Sequence, residues 1–138
     1  MKKVSAGIII TDGKEILLGH STGNNFWDIP KGMVEDGENP YDTAIRETHE
    51  EFGLDFSDHT LVDIGEFKYS KSKNLHLFLA NVSSMPNAKH CECTSYFDIG
   101  QGKKPEIDTF IVFELKNVEV LFCASMKECF KQWRKYIK

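Results

Sequence analysis

The sequence predicts an α+β chain of the layered kind, an αβα sandwich with a mixed β-sheet held between helices. Three observations carry this. Apolar, β-rich runs precede a strongly capped amphipathic helix, cleanly alternating runs follow it, and a second amphipathic pattern closes the chain. At 138 residues the chain is most simply one domain, residues 1–138, with enough length to bury a real core.

The elements follow in order. Val4–Ile10 and Glu15–His20 are strand-like runs separated by Thr11-Asp12-Gly13-Lys14, and Asp-Gly between two such runs signals a hairpin. Ser21–Asn25 reads as a loop, Phe26–Ile29 as a short extended piece stopped by Pro30, and Lys31–Val34 as an edge strand ahead of a turn at Glu35–Glu38. The clearest helix comes next. Asn39 suits the N-cap, Pro40 the first helical position and Gly53 the residue just past the end. Tyr41, Ala44, Ile45, Thr48 and Phe52 recur at helical spacing as its buried stripe. Leu61–Tyr69, Leu75–Val82 and Glu92–Phe97 then read as strands, with Ser70–Asn74 a lysine-bearing loop and Ser83–His90 and Gly100–Pro105 irregular. Ile107–Leu115 is a further strand. Ser125–Ile137 is an amphipathic helix with Met126, Cys129, Phe130, Trp133 and Ile137 inward.

Composition narrows the functional classes. A net charge of −4 supplies no general attraction for nucleic acid or anionic membrane, so no stable nucleic-acid partner is expected. An anionic substrate must be received by a local lysine patch or a bound cation. No apolar run approaches the roughly 20 residues that span a bilayer. The opening MKKVSAGIII breaks at Thr11-Asp12-Gly13, too early for a signal peptide, and reads as a first strand. Cytoplasm is the default location. Cys91, Cys93, Cys123 and Cys129 lack the usual zinc-ligand spacing and are expected as free thiols.

Glu47, Glu50 and Glu51 fall in one sector of the helix, about a third of a turn from the apolar stripe and close to its C-terminal end. Like-charge pairs at these spacings cost about 0.2–0.5 kcal/mol each. Anions in the last turn oppose the helix dipole at about 0.3–1 kcal/mol each. Arg46 offers the only local relief. The sum, on the order of 1–3 kcal/mol, is noticeable against a typical stability of roughly 5–15 kcal/mol. A divalent cation reverses its sign, and oxygen-only ligands select magnesium or manganese over zinc. A plain acidic surface retained for solubility is the alternative.

At these residues the sequence resembles the Nudix hydrolase family. The fixed positions of that family's signature are met by Gly32, Glu38, Arg46-Glu47, Glu50-Glu51, Gly53 and Leu54, with SAGIII and WDIPKG ahead of them also similar. Thr48 departs from the pattern, standing where an aliphatic residue is usual. The resemblance implies an αβα sandwich that hydrolyses a nucleoside diphosphate linked to another moiety. It implies that Glu47, Glu50 and Glu51 hold magnesium, with a backbone carbonyl near Gly32, and that Arg46 orients a carboxylate. Glu38 would support the loop. The carboxylate that deprotonates the attacking water is Glu47 or Glu106, because family members draw a further glutamate from a later loop.

Specificity comes from outside the signature. The WDIPKG segment resembles diadenosine polyphosphate and diphosphoinositol polyphosphate hydrolases of the family, and Tyr69 lies where the former carry a base-stacking tyrosine. Lys31, Tyr69, Trp27 and Lys71 are the expected substrate contacts, Lys68 and Lys73 flank Tyr69 with Lys71 as further contacts for a long phosphate chain, and a dinucleoside polyphosphate is the expected substrate. ADP-ribose, a nucleotide sugar or the 5′ end of RNA are alternatives, as is a non-catalytic nucleotide-binding module.

Overall fold

Two strands alternate apolar side chains toward opposite faces, and that alternation organises the whole molecule. The computed structural model describes residues 2–138. β1 (Lys3–Thr11) runs parallel to β6 (Lys73–Asn81) in continuous register from Lys3↔Lys73 to Thr11↔Asn81. Ala6, Ile8, Ile10, Phe78 and Ala80 face one way, and Ile9, Leu75, Leu77 and Leu79 face the other. With both faces covered, β1 is buried along most of its length, as parallel pairs require.

The remaining strands build outward. β2 (Glu15–Ser21) follows the Asp-Gly turn, meeting β1 antiparallel at Thr11↔Ile16 and pairing with β9 (Ile107–Glu114) on its other side. The short β3 (Trp27–Asp28) also pairs with β2, and β4 (Lys31–Met33) pairs antiparallel with the first half of β1. β5 (Val62–Lys68) closes the far edge beside β6. The result is a mixed seven-stranded sheet. One face is covered by α1 (Pro40–Phe52) through Ala44 and Phe52, the other by α2 (Ala124–Trp133) through Met126, Cys129, Phe130 and Trp133. This is the αβα sandwich predicted above.

The caps of α1 form as expected. The Asn39 side chain accepts from the Asp42 N–H at 2.8 Å, and Gly53 adopts a left-handed φ of 71°. Beyond Gly53 the chain differs from the expected strand at Glu92–Phe97. Residues 92–94 instead satisfy the open carbonyls of the helix: the Glu92 N–H donates to Phe52 O at 3.1 Å and the Thr94 N–H to Glu50 O at 2.7 Å. Only Tyr96–Asp98 is a strand, β7. It pairs with β8 (Lys103–Pro105) in a separate two-stranded hairpin, where an irregular segment was expected.

Two further differences are local. Tyr41 is 39% exposed, its ring edge-on to Phe78 at the sheet margin; Thr43 is buried instead, its hydroxyl satisfied by the Glu38 carboxylate at 2.6 Å. The segment Leu115–Leu121 forms a 3-10 helix that buries Val118, and α2 ends at Trp133 in a 3-10 turn, Arg134–Tyr136. The four cysteines are free, and no described helix is long and apolar enough to cross a membrane.

Leu77 is fully buried beneath α2. Leu77→Ala is expected to cost about 2–5 kcal/mol and Leu77→Met less than about 1.5 kcal/mol, read from denaturant midpoints at unchanged slope.

Candidate active site

The site is assembled where the backbone of β4 lies against α1. Gly32 makes this approach possible: a Cβ there would stand 2.1 Å from Cδ of Glu47. The Glu47 carboxylate therefore occupies the space a side chain would fill. One residue earlier, the Lys31 N–H donates to Oε1 of Glu51 at 3.1 Å. Helix and strand are thus joined through two of the three box acids.

Arg46 organises the outer side. Its Nε and Nη2 donate to the two oxygens of Glu38 at 2.8 and 3.0 Å, a bidentate pair, while Nη1 donates to Glu47 at 2.9 Å and reaches Glu50 at 3.3 Å. Hydrogen bonds from Arg46 and Thr43 hold the Glu38 carboxyl down to about 2. Glu50 is the most open of the three acids.

Glu51 is the electrostatic anomaly. It is only 8% exposed, and the hydrogen bond it accepts among the described residues comes from a neutral backbone N–H. Burial, with like charge from Glu47 and Asp28, pushes its carboxyl up to about 9 against the opposing Lys31. Burial also raises Glu47, against Arg46 and reinforced by Glu50 and Glu106. A carboxylate buried without a cationic partner is unstable as an anion.

Beside these acids opens a cleft of about 470 Å³ whose walls include Asp28, Lys31, Glu51, Tyr69 and Glu106. The Lys31 ammonium pairs with Asp28 at 2.9 Å and lies 5.6 Å from the Tyr69 ring centre. Burial works against its charge, but Asp28, Tyr69 and Glu51 together outweigh it and hold the Lys31 ammonium above its ordinary value. The Tyr69 hydroxyl meets Sγ of Cys123 at 3.3 Å. A second cavity of about 510 Å³, around Gly13, Phe130 and Arg134, contains none of the box acids.

Of the expected site residues, Lys31, Glu51, Tyr69 and Glu106 line one cleft, with Glu47 and Gly32 packed together behind Lys31 and Glu51. Two others lie elsewhere. Trp27 is absent from the cleft wall and packs inward against the α2-side core and the His20 ring, 5.1 Å away, while its neighbour Phe26 lines the cleft. Lys71 is exposed in the β5–β6 turn, and Lys73 stands over Tyr69 in its place, 5.8 Å from the ring centre. Asp28 and Phe97 escaped the sequence reading. Asp28 had a signal, its i,i+3 spacing to Lys31; Phe97 had none, because its hairpin was not anticipated.

The donor set fits a hard divalent cation. Glu47, Glu50, Glu51 and a carbonyl at Gly32 offer oxygen only, and a cation would supply the charge that Glu51 lacks. As the side chains stand, no three acidic, histidine or cysteine groups among the described residues converge on one point. Glu47 and Glu50 both accept from Arg46 Nη1, while the bidentate bond of Arg46 goes to Glu38.

The NUDIX domain family model matches residues 1–123. The chain belongs to the Nudix family. It is a Nudix pyrophosphohydrolase, and Nudix hydrolases generally depend on a divalent metal. A phage T4 relative, the uncharacterized 17.7 kDa protein of the e-segB intergenic region, is 39% identical over 122 residues, covering 80% of this chain and 81% of its own. The asymmetrical bis(5′-nucleosyl)-tetraphosphatase of Sus scrofa is 38% identical over 72 residues, 49% of each chain. In three dimensions the chain is similar to the C. elegans Ap4A hydrolase seen as a binary complex, with a TM-score of 0.68, 23% identity and coverage of 97% of this chain and 96% of that one. That last likeness speaks to the Nudix fold.

Gly32→Ala places a methyl where the Glu47 carboxylate lies. It is expected to cost about 1–3 kcal/mol of stability and about a hundredfold in metal-dependent turnover, since displacements near 1 Å have that effect. Circular dichroism beside an activity assay separates the two. Glu38 gives a pH signature. Its folded value of about 2 lies below its ordinary 4.5, so its contribution is present above about 4.5 and is lost as pH falls toward 2. The stability gap between the parent and Glu38→Gln, measured by urea denaturation without divalent cations, is expected to be full at pH 6 and to narrow below pH 4.5.

Proposed function

We propose that this Nudix protein hydrolyses a pyrophosphate bond in a dinucleoside polyphosphate, with magnesium or manganese as cofactor. One observation carries the reading. The cleft sets the buried, uncompensated Glu51 beside the half-buried Lys31 ammonium and the Tyr69 ring. An acid awaiting a cation, a fixed positive charge and an aromatic face are what a phosphate chain ending in a nucleobase requires. The partial match to a bis(5′-nucleosyl)-tetraphosphatase supports the same choice.

Glu47, Glu50 and Glu51, with the Gly32 carbonyl, would hold the cation. When bound, such an ion neutralises phosphate oxygens and makes a coordinated water more acidic. Lys31 and Lys73 then attract the phosphate chain, and Tyr69 offers its ring to a base. Arg46, clamped by Glu38, keeps Glu47 and Glu50 oriented on the helix. The water's proton goes to Glu106 or Glu47, whose charges sense one another across the cleft. Trp27 and Lys71 stand outside the cleft, the first packed against the α2-side core and the His20 ring. The substrate is a small molecule and the location cytoplasmic.

Glu51→Gln is expected to lower turnover at least about a hundredfold with the fold retained. A magnesium-dependent screen over diadenosine tetraphosphate, ADP-ribose, nucleotide sugars and capped RNA checks the substrate. Full magnesium-dependent activity in Glu51→Gln, or a preference for any of the other three, would overturn the corresponding part of the proposal.

A further inference from the structure

The cleft has a second aromatic station. Phe97 lines it from the β7–β8 hairpin, yet is 37% exposed and belongs to neither core cluster. An apolar ring held at the mouth of a polar cleft without core contacts contributes little to folding and is suited to a ligand. Its strand neighbours Tyr96 and Ile99 are also exposed, so the hairpin is not anchored by burying them.

The hairpin is positioned through its backbone. The Glu106 N–H donates to Ser95 O at 2.8 Å, and the Thr22 N–H donates to Glu106 O at 3.0 Å. Phe97 is therefore tied to the β2–β3 loop, which presents Phe26 to the same cleft. The Thr22 hydroxyl, on the same cleft wall, is buried with no hydrogen-bond partner among the described residues. A buried polar group without a partner is costly unless a ligand or water completes it. Lys104 is the cross-strand partner of Phe97, so the two side chains share one face of the hairpin.

Sheet order separates this station from the first. Tyr69 follows β5, at one edge, whereas the hairpin leads directly into β9, which flanks β2 at the other. β4, with Lys31 and Gly32, lies between them against β1. Two aromatic stations on either side of a metal-ready acid cluster match a ligand with a ring at each end of a phosphate chain.

We infer that Phe97, opposite Phe26 and with the Thr22 hydroxyl at its edge, forms a binding subsite for the second nucleobase, and that Lys104 faces the adjoining phosphate. This rests on the dinucleoside reading above and names the residues that select a substrate with two bases over one with a single base.

Stacking on one aromatic ring is worth about 1–3 kcal/mol, so its removal is expected to weaken binding about tenfold. The decisive measurement is calorimetric binding in a Glu51→Gln background with magnesium, where cleavage is slow. Diadenosine tetraphosphate is compared with adenosine tetraphosphate, which has the same phosphate chain and one base. Adding Phe97→Ala is expected to weaken the first about tenfold and the second less than about twofold, with Phe97→Tyr restoring the difference. In Phe97→Trp, diadenosine tetraphosphate is expected to quench the new indole. Unchanged affinity for diadenosine tetraphosphate in Phe97→Ala, or equal weakening of both ligands, would overturn the subsite. Magnesium-dependent hydrolysis by the parent protein reports separately on the proposed function, so the two readings fail in different assays.

Discussion

The absence of a side chain at Gly32 is the constraint on which the site depends. Strand β4 can lie this close to α1 because Gly32 has no Cβ, and the Glu47 carboxylate fills the volume one would take. That contact fixes the register between the loop and the helix. The β1 pairing then carries it into the core, through Ser5↔Met33, Ala6↔Gly32 and Gly7↔Lys31. Gly7 repeats the device one layer deeper, since a Cβ there would stand 2.5 Å from the Pro30 carbonyl oxygen. The acid-bearing helix is therefore placed by the centre of the sheet, and its acids inherit that rigidity.

Two cations share the work of holding many acids together, and they do so differently. Arg46 sits on the open side of α1 and is saturated with carboxylates, its strongest bond going to Glu38, which is not one of the proposed metal ligands. Lys31 is half-buried, paired with Asp28, and presents its charge to the cleft beside Tyr69. Neither forms a side-chain bond to Glu51. The deepest acid is thus left for a charge from outside the protein, and burial, more than the like-charge crowding inferred from spacing, is what raises its carboxyl.

The sandwich, the helix and its caps were legible because each rests on local chemistry: alternation in β1 and β6, Asn39 and Pro40 at one end of α1, Gly53 at the other. The acid cluster was legible from helical spacing for the same reason. Contacts between distant segments were not. Trp27 was an expected substrate contact, but the pleat of β3 turns its ring toward His20 and the core while Asp28 faces the cleft. Lys71 and Lys73 are indistinguishable by composition. Only the early start of β6, at Lys73, brings one of them over Tyr69. Tyr41 matched the apolar period of α1, yet the first turn lies at the sheet margin, where Thr43 could be buried once Glu38 accepted its hydroxyl.

The unfavourable placement of acids in the last turns of α1 has a structural counterpart. Residues 92–94, expected as a strand, satisfy the carbonyls of Glu50 and Phe52, and the Gly53 position admits them closely, since a Cβ there would stand 2.8 Å from the Glu92 carbonyl oxygen. Donated N–H groups soften the negative end of the helix dipole where Glu50 and Glu51 add to it. The same segment then runs directly into Tyr96 and Phe97. One stretch of chain thus relieves the acidic end of the helix and carries the hairpin to the cleft. The helix end that bears the acids and the loop that bears Phe97 are mechanically joined, and a change that loosens the cap at Thr94 displaces Phe97 as well.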